Sequence, residues 1–192
     1  MKNLKKISNL VLIVAFVTLS AFTINSVINW QIKEGYSIKF SGTSIEGEFE
    51  KINGEISFDA DHLTDSKMTI NVEVKSIATG NWLKTRHAKN DEWFDADRYP
   101  QISFVSSNFT KSSTGYIVEG TLTMHGVKKQ ISIPFTFSNN IFKGVFSVNR
   151  IDYGIGTLEG MSKKVSNAIK LEFSVPVVKK LPASLHKHPK DN

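Results

Sequence analysis

No cysteine occurs among the 192 residues, a single gap that removes disulfides, thiolate nucleophiles, cysteine-based zinc sites and a lipid-attachment cysteine together. The chain also lacks Gly-x-Ser-x-Gly, a glycine-rich phosphate loop and His-Glu-x-x-His, so no familiar catalytic motif is present. A basic stripe is missing too. The net charge of +6 is concentrated at the ends, in Lys2, Lys5 and Lys6 and in Lys179, Lys180, Lys187 and Lys190, which leaves the body near neutral. Nucleic-acid binding, which needs cations spread over a folded face, is not expected.

The one long apolar run, Leu10 to Ile24, follows a basic start and precedes Asn25 and Ser26. It is short for a bilayer span, which wants about 20 apolar residues. Residues 1–26 therefore read as an export signal, with an uncleaved amino-terminal anchor as the alternative. Export places the protein in a periplasm or outside the cell. At the other end, residues 179–192 read as a basic flexible tail.

What the chain has in excess is phenylalanine, 13 residues, set into segments that alternate apolar and polar side chains. Tyr36, Ile38 and Phe40 alternate with Ser37 and Lys39; Ile52, Gly54, Ile56 and Phe58 with Asn53, Glu55 and Ser57; Met68, Ile70, Val72 and Val74 with Thr69, Asn71 and Glu73. Further sets are Ile102 with Phe104, Tyr116 to Met124, Ile131 to Phe137, Phe142 to Val148 and Ile169 to Val177. A period of two is the mark of a strand with one wet face. Phe49 is out of phase with Ile52, which a bulge near Glu50 and Lys51 would reconcile. Turn residues bound the strands at Ser112–Gly115, His125–Gly126 and Ser138–Asn140, and Pro134 predicts an edge, bulge or seam.

The count is about eight antiparallel strands, which can form a sandwich or a sheet closed on itself. An eight-stranded barrel is just wide enough to be filled by side chains or to hold one slim ligand. Gly54, Gly120 and Gly144 stand in register with inward-facing apolar residues, where they would either open a channel or relieve curvature. The exception to the strand pattern is Ser76 to Phe104, a long connection with Trp82, Trp93, His87 and several bases. Such a loop over a rigid scaffold is where a binding mouth is expected.

The segments together resemble the YceI-like family of exported polyisoprenoid-binding, lipocalin-like barrels. The resemblance lies in Phe49 with Gly54 to Phe58, Ser76-Ile77 with Thr79-Gly80, His87, Trp93-Phe94 with Tyr99 to Phe104, Gly120 to Leu122 with Gly126 to Lys128, and Asn149-Arg150 with Asp152 to Gly154. It runs over about residues 30–178 and departs from the family pattern at Lys84 and in Met161 to Lys164. It implies an all-β fold, an extended antiparallel eight-stranded lipocalin-like barrel with one short helical connection. It also implies an isoprenoid lipid, a polyprenyl chain or quinone tail, in the channel.

On this reading the channel would be lined by Ile38, Phe40, Phe58, Ile70, Val72, Phe104, Leu122, Phe135, Phe146, Leu171 and Phe173, each of which could equally be plain core. Trp82, Arg86, His87 and Arg150 would meet the polar head at the mouth, since guanidinium and imidazolium suit a pyrophosphate or quinone oxygen. The competing readings are a solvated loop face for Arg86 and an ion pair with Asp152 for Arg150.

No catalytic residue, metal or cofactor is expected. His62, His87 and His125 lie in separate connectors, His186 and His188 lie in the tail, and Asp59, Asp61 and His62 resemble a metal corner in composition alone. The expectation is a carrier or storage protein rather than an enzyme, with transient membrane contact and a homodimer both compatible. The rival is an exported protein-binding or structural β module with a packed core.

Overall fold

The structure, a computed structural model, describes residues 28–181. The leader and most of the basic tail lie outside the described residues. Eleven strand segments build eight walls, because three walls are broken in two. β1 (Asn29–Ile32) and β2 (Ser37–Gly42) both run along β11 (Ala168–Lys179), with Trp30 opposite Lys179 and Phe40 opposite Leu171. β3 (Ile45–Phe49) and β4 (Ile52–Ser57) form the next wall, and β5 (Lys67–Glu73) and β6 (Ile77–Ala78) the one after. β7 (Gln101–Ser112), β8 (Gly115–Met124), β9 (Val127–Ser138) and β10 (Ile141–Asn149) follow as hairpins, and β11 closes the ring against β1. The sheet is a closed antiparallel barrel, which settles the choice between sandwich and barrel.

The expected irregularities fall where the pattern put them. β3 stops at Phe49 and β4 starts at Ile52, so Glu50 and Lys51 form the break that shifts the phase. The neighbouring wall breaks beside it at Val74–Ser76, and buried Ser76 joins the two: its carbonyl accepts from Glu50 N at 3.1 Å, and its hydroxyl accepts from Lys51 N at 3.0 Å and donates to Glu73 O at 2.6 Å. Two adjacent kinks tied by one serine bend the sheet without orphaning its amides. Pro134 marks a seam: the β9–β10 ladder runs from Ser138 and Ile141 only to Phe135 and Gly144, and ends next to the residue that has no N–H.

The barrel has two different ends. At one, Ser113–Thr114, the Asn139–Asn140 turn and the connection from Phe58 to Ser66 close the strands; both asparagines adopt positive φ, 50° and 57°, as a tight hairpin requires. Here the aromatics gather. The Phe58 ring lies 5.2–5.9 Å from those of Phe109, Tyr116, Phe135, Phe137 and Phe142, mostly edge to face. Trp30 Nε1 donates to Phe58 O at 2.8 Å and stacks edge-on against Phe137. This cluster plugs that end.

At the other end lie the β2–β3 turn, the β6–β7 connection, the His125–Gly126 turn and the long β10–β11 connection. α1 (Trp82–Ala88) sits in the β6–β7 connection, capped by Asn81, whose side chain accepts from Leu83 N and Lys84 N at 3.0 Å each. Two further links fix this end. Thr85 Oγ1 accepts from Thr79 N at 3.0 Å, and His125 Nδ1 meets Tyr153 O at 3.1 Å.

Because Phe58 is only 1% exposed and anchors five rings, Phe58→Ala should cost about 3–5 kcal/mol. Urea unfolding should show a lower midpoint at unchanged slope. A loss below about 1 kcal/mol would mean that the plug is not a stabilising centre.

Candidate functional site: a one-ended apolar channel

The barrel encloses a cavity of about 610 Å3 that opens at the α1 end. That volume falls within the range of small-molecule sites. Its walls are the inward-facing residues of nearly every strand; its polar lining comes from Ser44, Lys84, His87, Glu92, Arg150, Ser162 and Lys164 in the connections at the mouth, and from Glu172 on β11, which is exposed and out of phase with the inward-facing Leu171 and Phe173. A tube that is hydrocarbon along its length and charged at one end fits an elongated amphipathic molecule inserted tail first.

Of the residues expected to line it, Ile38, Phe40, Ile70, Val72, Phe104, Leu122, Phe135, Phe146, Leu171 and Phe173 do so. Phe58 does not. It points inward as its phase requires, but it sits at the plugged end and is consumed by its aromatic neighbours. At the mouth, His87 and Arg150 reach the cavity, whereas Trp82 and Arg86 lie on the solvent side of α1. Trp93, Phe94 and Phe49 also line the opening; Phe49 packs against Phe40 at 5.5 Å and Phe94 at 5.9 Å. Phe49 could have been found from the phase break that precedes Ile52. Trp93 and Phe94 lie in an irregular connection, where no periodicity reveals direction.

What keeps the tube open is a pairing of glycine with phenylalanine across strands. A Cβ built on Gly47 would lie 2.6 Å from Phe40 Cζ, on Gly120 2.7 Å from Phe104 Cζ, and on Gly144 2.5 Å from Phe173 Cζ. Each ring therefore occupies the space over a bare backbone and lies against the wall instead of crossing the lumen. A strand carbonyl also crowds each of these positions, Ala78 O at Gly47, Val105 O at Gly120 and Pro134 O at Gly144, so close approach of the strands demands glycine there too. Gly54 shares that constraint through Thr69 O and meets Ile70 in place of a ring.

Arg150 is 3% exposed and pairs with no carboxylate among the described residues. Asp152 instead pairs with Lys129 at 3.4 Å, so the Arg150–Asp152 ion pair is not formed. The guanidinium donates to the carbonyls of Ile155, Thr157, Ser162, Val165 and Ser166 at 2.8–3.2 Å, with Ser162 Oγ and Asn167 Oδ1 at 3.4 Å, and lies 5.4 Å from the Trp93 ring. Burial lowers its pKa, yet the carbonyl dipoles hold the charge in place. Its donors are thus spent on the β10–β11 connection. Its charge still contributes positive potential at the mouth, beside Lys84 and Lys164.

The other titratable candidates are occupied locally. The Asp59 carboxylate accepts from Asp61 N at 2.9 Å and meets His62 Nδ1 at 3.1 Å, and these contacts, the backbone one foremost, lower its pKa. Among the described residues no three metal-binding side chains converge.

The family model for the YceI-like domain matches residues 23–177, which is most of the chain. The chain belongs to the YceI-like family. Curated relatives include the UPF0312 protein of Pseudomonas fluorescens, 31% identical over 57% of this chain and 64% of that one, and a UPF0312 protein of Vibrio cholerae, 27% identical over 76% and 79%. In the first of these, as in the Photorhabdus laumondii relative, where the match spans 51%, the alignment covers between half and two thirds of the relative's length. Among solved structures, Burkholderia cenocepacia BcnA superposes with a TM-score of 0.68 at 26% identity, over 75% of this chain and 96% of that one. A polyisoprenoid binding domain from Saccharophagus degradans superposes at 0.58 with 13% identity, over 79% and 98%, a likeness of fold alone. The YceI-like fold and the apolar cavity are features of a binding protein.

Arg150→Gln should loosen this mouth selectively. Losing a charged donor to five carbonyls should cost at least about 3 kcal/mol and raise hydrogen exchange across residues 155–166 before the barrel strands respond. Unchanged protection there would show that the connection is held by something else.

Proposed function

We propose that this protein is an exported carrier or storage protein that holds an isoprenoid lipid in its barrel, tail toward the Phe58 plug and polar head at the α1 mouth. The observation that carries the reading is the one-ended channel, walled by apolar inward-facing strand residues, with its basic side chains gathered in the connections at its opening. The Saccharophagus degradans neighbour, which shares the fold and is described as polyisoprenoid binding, supports the cargo class. The basic and apolar order of residues 1–26 supports export to a periplasm or beyond. A packed, purely structural β module would have no use for a cavity of about 610 Å3.

Burying hydrocarbon from water stabilises by roughly 0.8 kcal/mol per methylene, so a few five-carbon units suffice for tight binding. The cargo, however, starts in a bilayer, and transfer from one apolar medium to another is close to neutral. Selection then falls to bore, length and head. The bore is set by Phe40, Phe104 and Phe173 lying over their glycines. The head would meet Lys84, His87 and Lys164, while Arg150 supplies field from behind.

Two measurements test the cargo. In Phe146→Trp the new indole lies in the channel wall, so its emission should shift on adding a polyprenyl phosphate or a quinone with an isoprenoid tail, relative to the native protein under the same titration. In Gly120→Ala the added methyl meets both the Val105 carbonyl and the Phe104 ring, so it should displace the ring toward the lumen, weaken binding by about tenfold and lower stability as well. Adding Phe104→Leu should recover much of the lost binding but not the lost stability, since the contact with the Val105 carbonyl remains. No fluorescence response to either lipid, or equal binding in all three glycine-series proteins, would contradict the reading.

A further inference from the structure

We propose that the rim of the channel mouth is a docking surface for an anionic lipid bilayer. Large exposed apolar side chains are not spread evenly over the described residues. Four of them, Trp82 and Leu83 at the start of α1 and Leu158 and Met161 in the β10–β11 connection, stand at the same end; Trp82 is 73% exposed and Met161 74%. The remainder, Val105, Val145, Val178 and Leu181, stand singly on strands or at the end of the described chain.

The two rim segments flank one opening. α1 contributes Lys84 and His87 to the cavity lining, and the β10–β11 connection contributes Met161, Ser162 and Lys164. They are joined through the β2–β3 turn, where Lys84 Nζ donates to Ser44 O at 3.3 Å and Ser166 Oγ accepts from Thr43 N at 2.9 Å. Gly156 N also donates to Glu92 O at 3.0 Å. The apolar tips are therefore carried on a braced frame, not on loose loops.

Charge selects the occupant. Residues 82–89 hold Lys84, Arg86 and Lys89 and no acid, and residues 158–164 hold Lys163 and Lys164 against Glu159. Asp91 and Glu92 follow α1, with Glu92 in the cavity lining, and Glu46 lies on β3, so the cation excess is confined to the two segments that carry the apolar tips. Aromatic and aliphatic tips interspersed with lysine and arginine match the boundary between acyl chains and anionic headgroups. A docked rim would present the channel opening to the bilayer, so that an elongated lipid could enter tail first without crossing water. The inference rests on the carrier reading for the direction of cargo flow, but the contact itself needs no cargo.

The absence of native cysteine gives a clean test. Two full-chain proteins would carry one environment-sensitive nitrobenzoxadiazole probe each, at Leu158→Cys on the rim or at Ser113→Cys at the plugged end. Each is mixed with vesicles of phosphatidylcholine alone or with phosphatidylglycerol, all free of isoprenoid. The expected result is a blue shift of the rim probe and its quenching by nitroxide-labelled lipid on anionic vesicles only. The shift should need at least about tenfold more neutral lipid, fade in high salt, and weaken when Lys163→Glu is added. The Ser113→Cys probe should stay aqueous.

A tether elsewhere in the chain would bring both probes near the membrane alike, and equal burial of the two would overturn the proposal. So would a rim probe that stays aqueous on every vesicle, or one that shifts equally on neutral lipid. A shift that needs no vesicles and grows with protein concentration would assign the rim to a second copy of the chain instead. Because the vesicles hold no isoprenoid, failure of docking leaves the cargo titrations unaffected, and failure of those titrations leaves docking standing.

Discussion

Phe40, Phe104 and Phe173 each lie over a glycine on a neighbouring strand, and the hollow interior depends on that arrangement. An eight-stranded barrel ordinarily has room for its own side chains and little else. With thirteen phenylalanines available, the default outcome would be a filled lumen. Removing the side chain opposite lets a large ring sit flat on the wall, so the apolar surface is kept while the volume at the centre is given up. The same pairs give up packing that a filled core would have gained, a cost of the kind expected where a cavity serves a ligand.

Stability is recovered at the two ends, in different currencies. At the plug it comes from aromatic burial around Phe58, where ring edges meet ring faces and the central ring is all but excluded from solvent. At the mouth, where an apolar plug would block entry, it comes from polar bonds: Arg150 gathers five carbonyls of the β10–β11 connection, and Asn81 caps α1. The asymmetry gives the channel a direction. An elongated molecule with a polar head has one favourable way in.

Much of this architecture was legible in the residues. Alternation gave the walls, the phase slip before Ile52 located the break at Glu50 and Lys51, and Pro134 marked the end of the β9–β10 ladder. Alternation reports which side of a sheet a residue faces, but not its height along the barrel axis. Phe58 shares its phase with Ile56, yet one belongs to the plug and the other to the channel wall. Nor does a period of two speak for connections. Trp82 and Trp93 are eleven positions apart in one loop, and only the capped helix and the turns after it place the first in solvent and the second over Arg150. Arg150 itself reads as a charge seeking an anion, and its carbonyl partners come from a backbone path that no motif encodes.

The central claim is that the lumen holds a long isoprenoid lipid. Its most direct test is organic extraction of the protein, purified from its native host without detergent, followed by mass spectrometry of the extract. The account predicts a species with successive five-carbon spacing in its fragments, near one per protein molecule, and reduced in a Gly120→Ala preparation made in parallel. An extract with no such species above the level of an unrelated exported protein would contradict it.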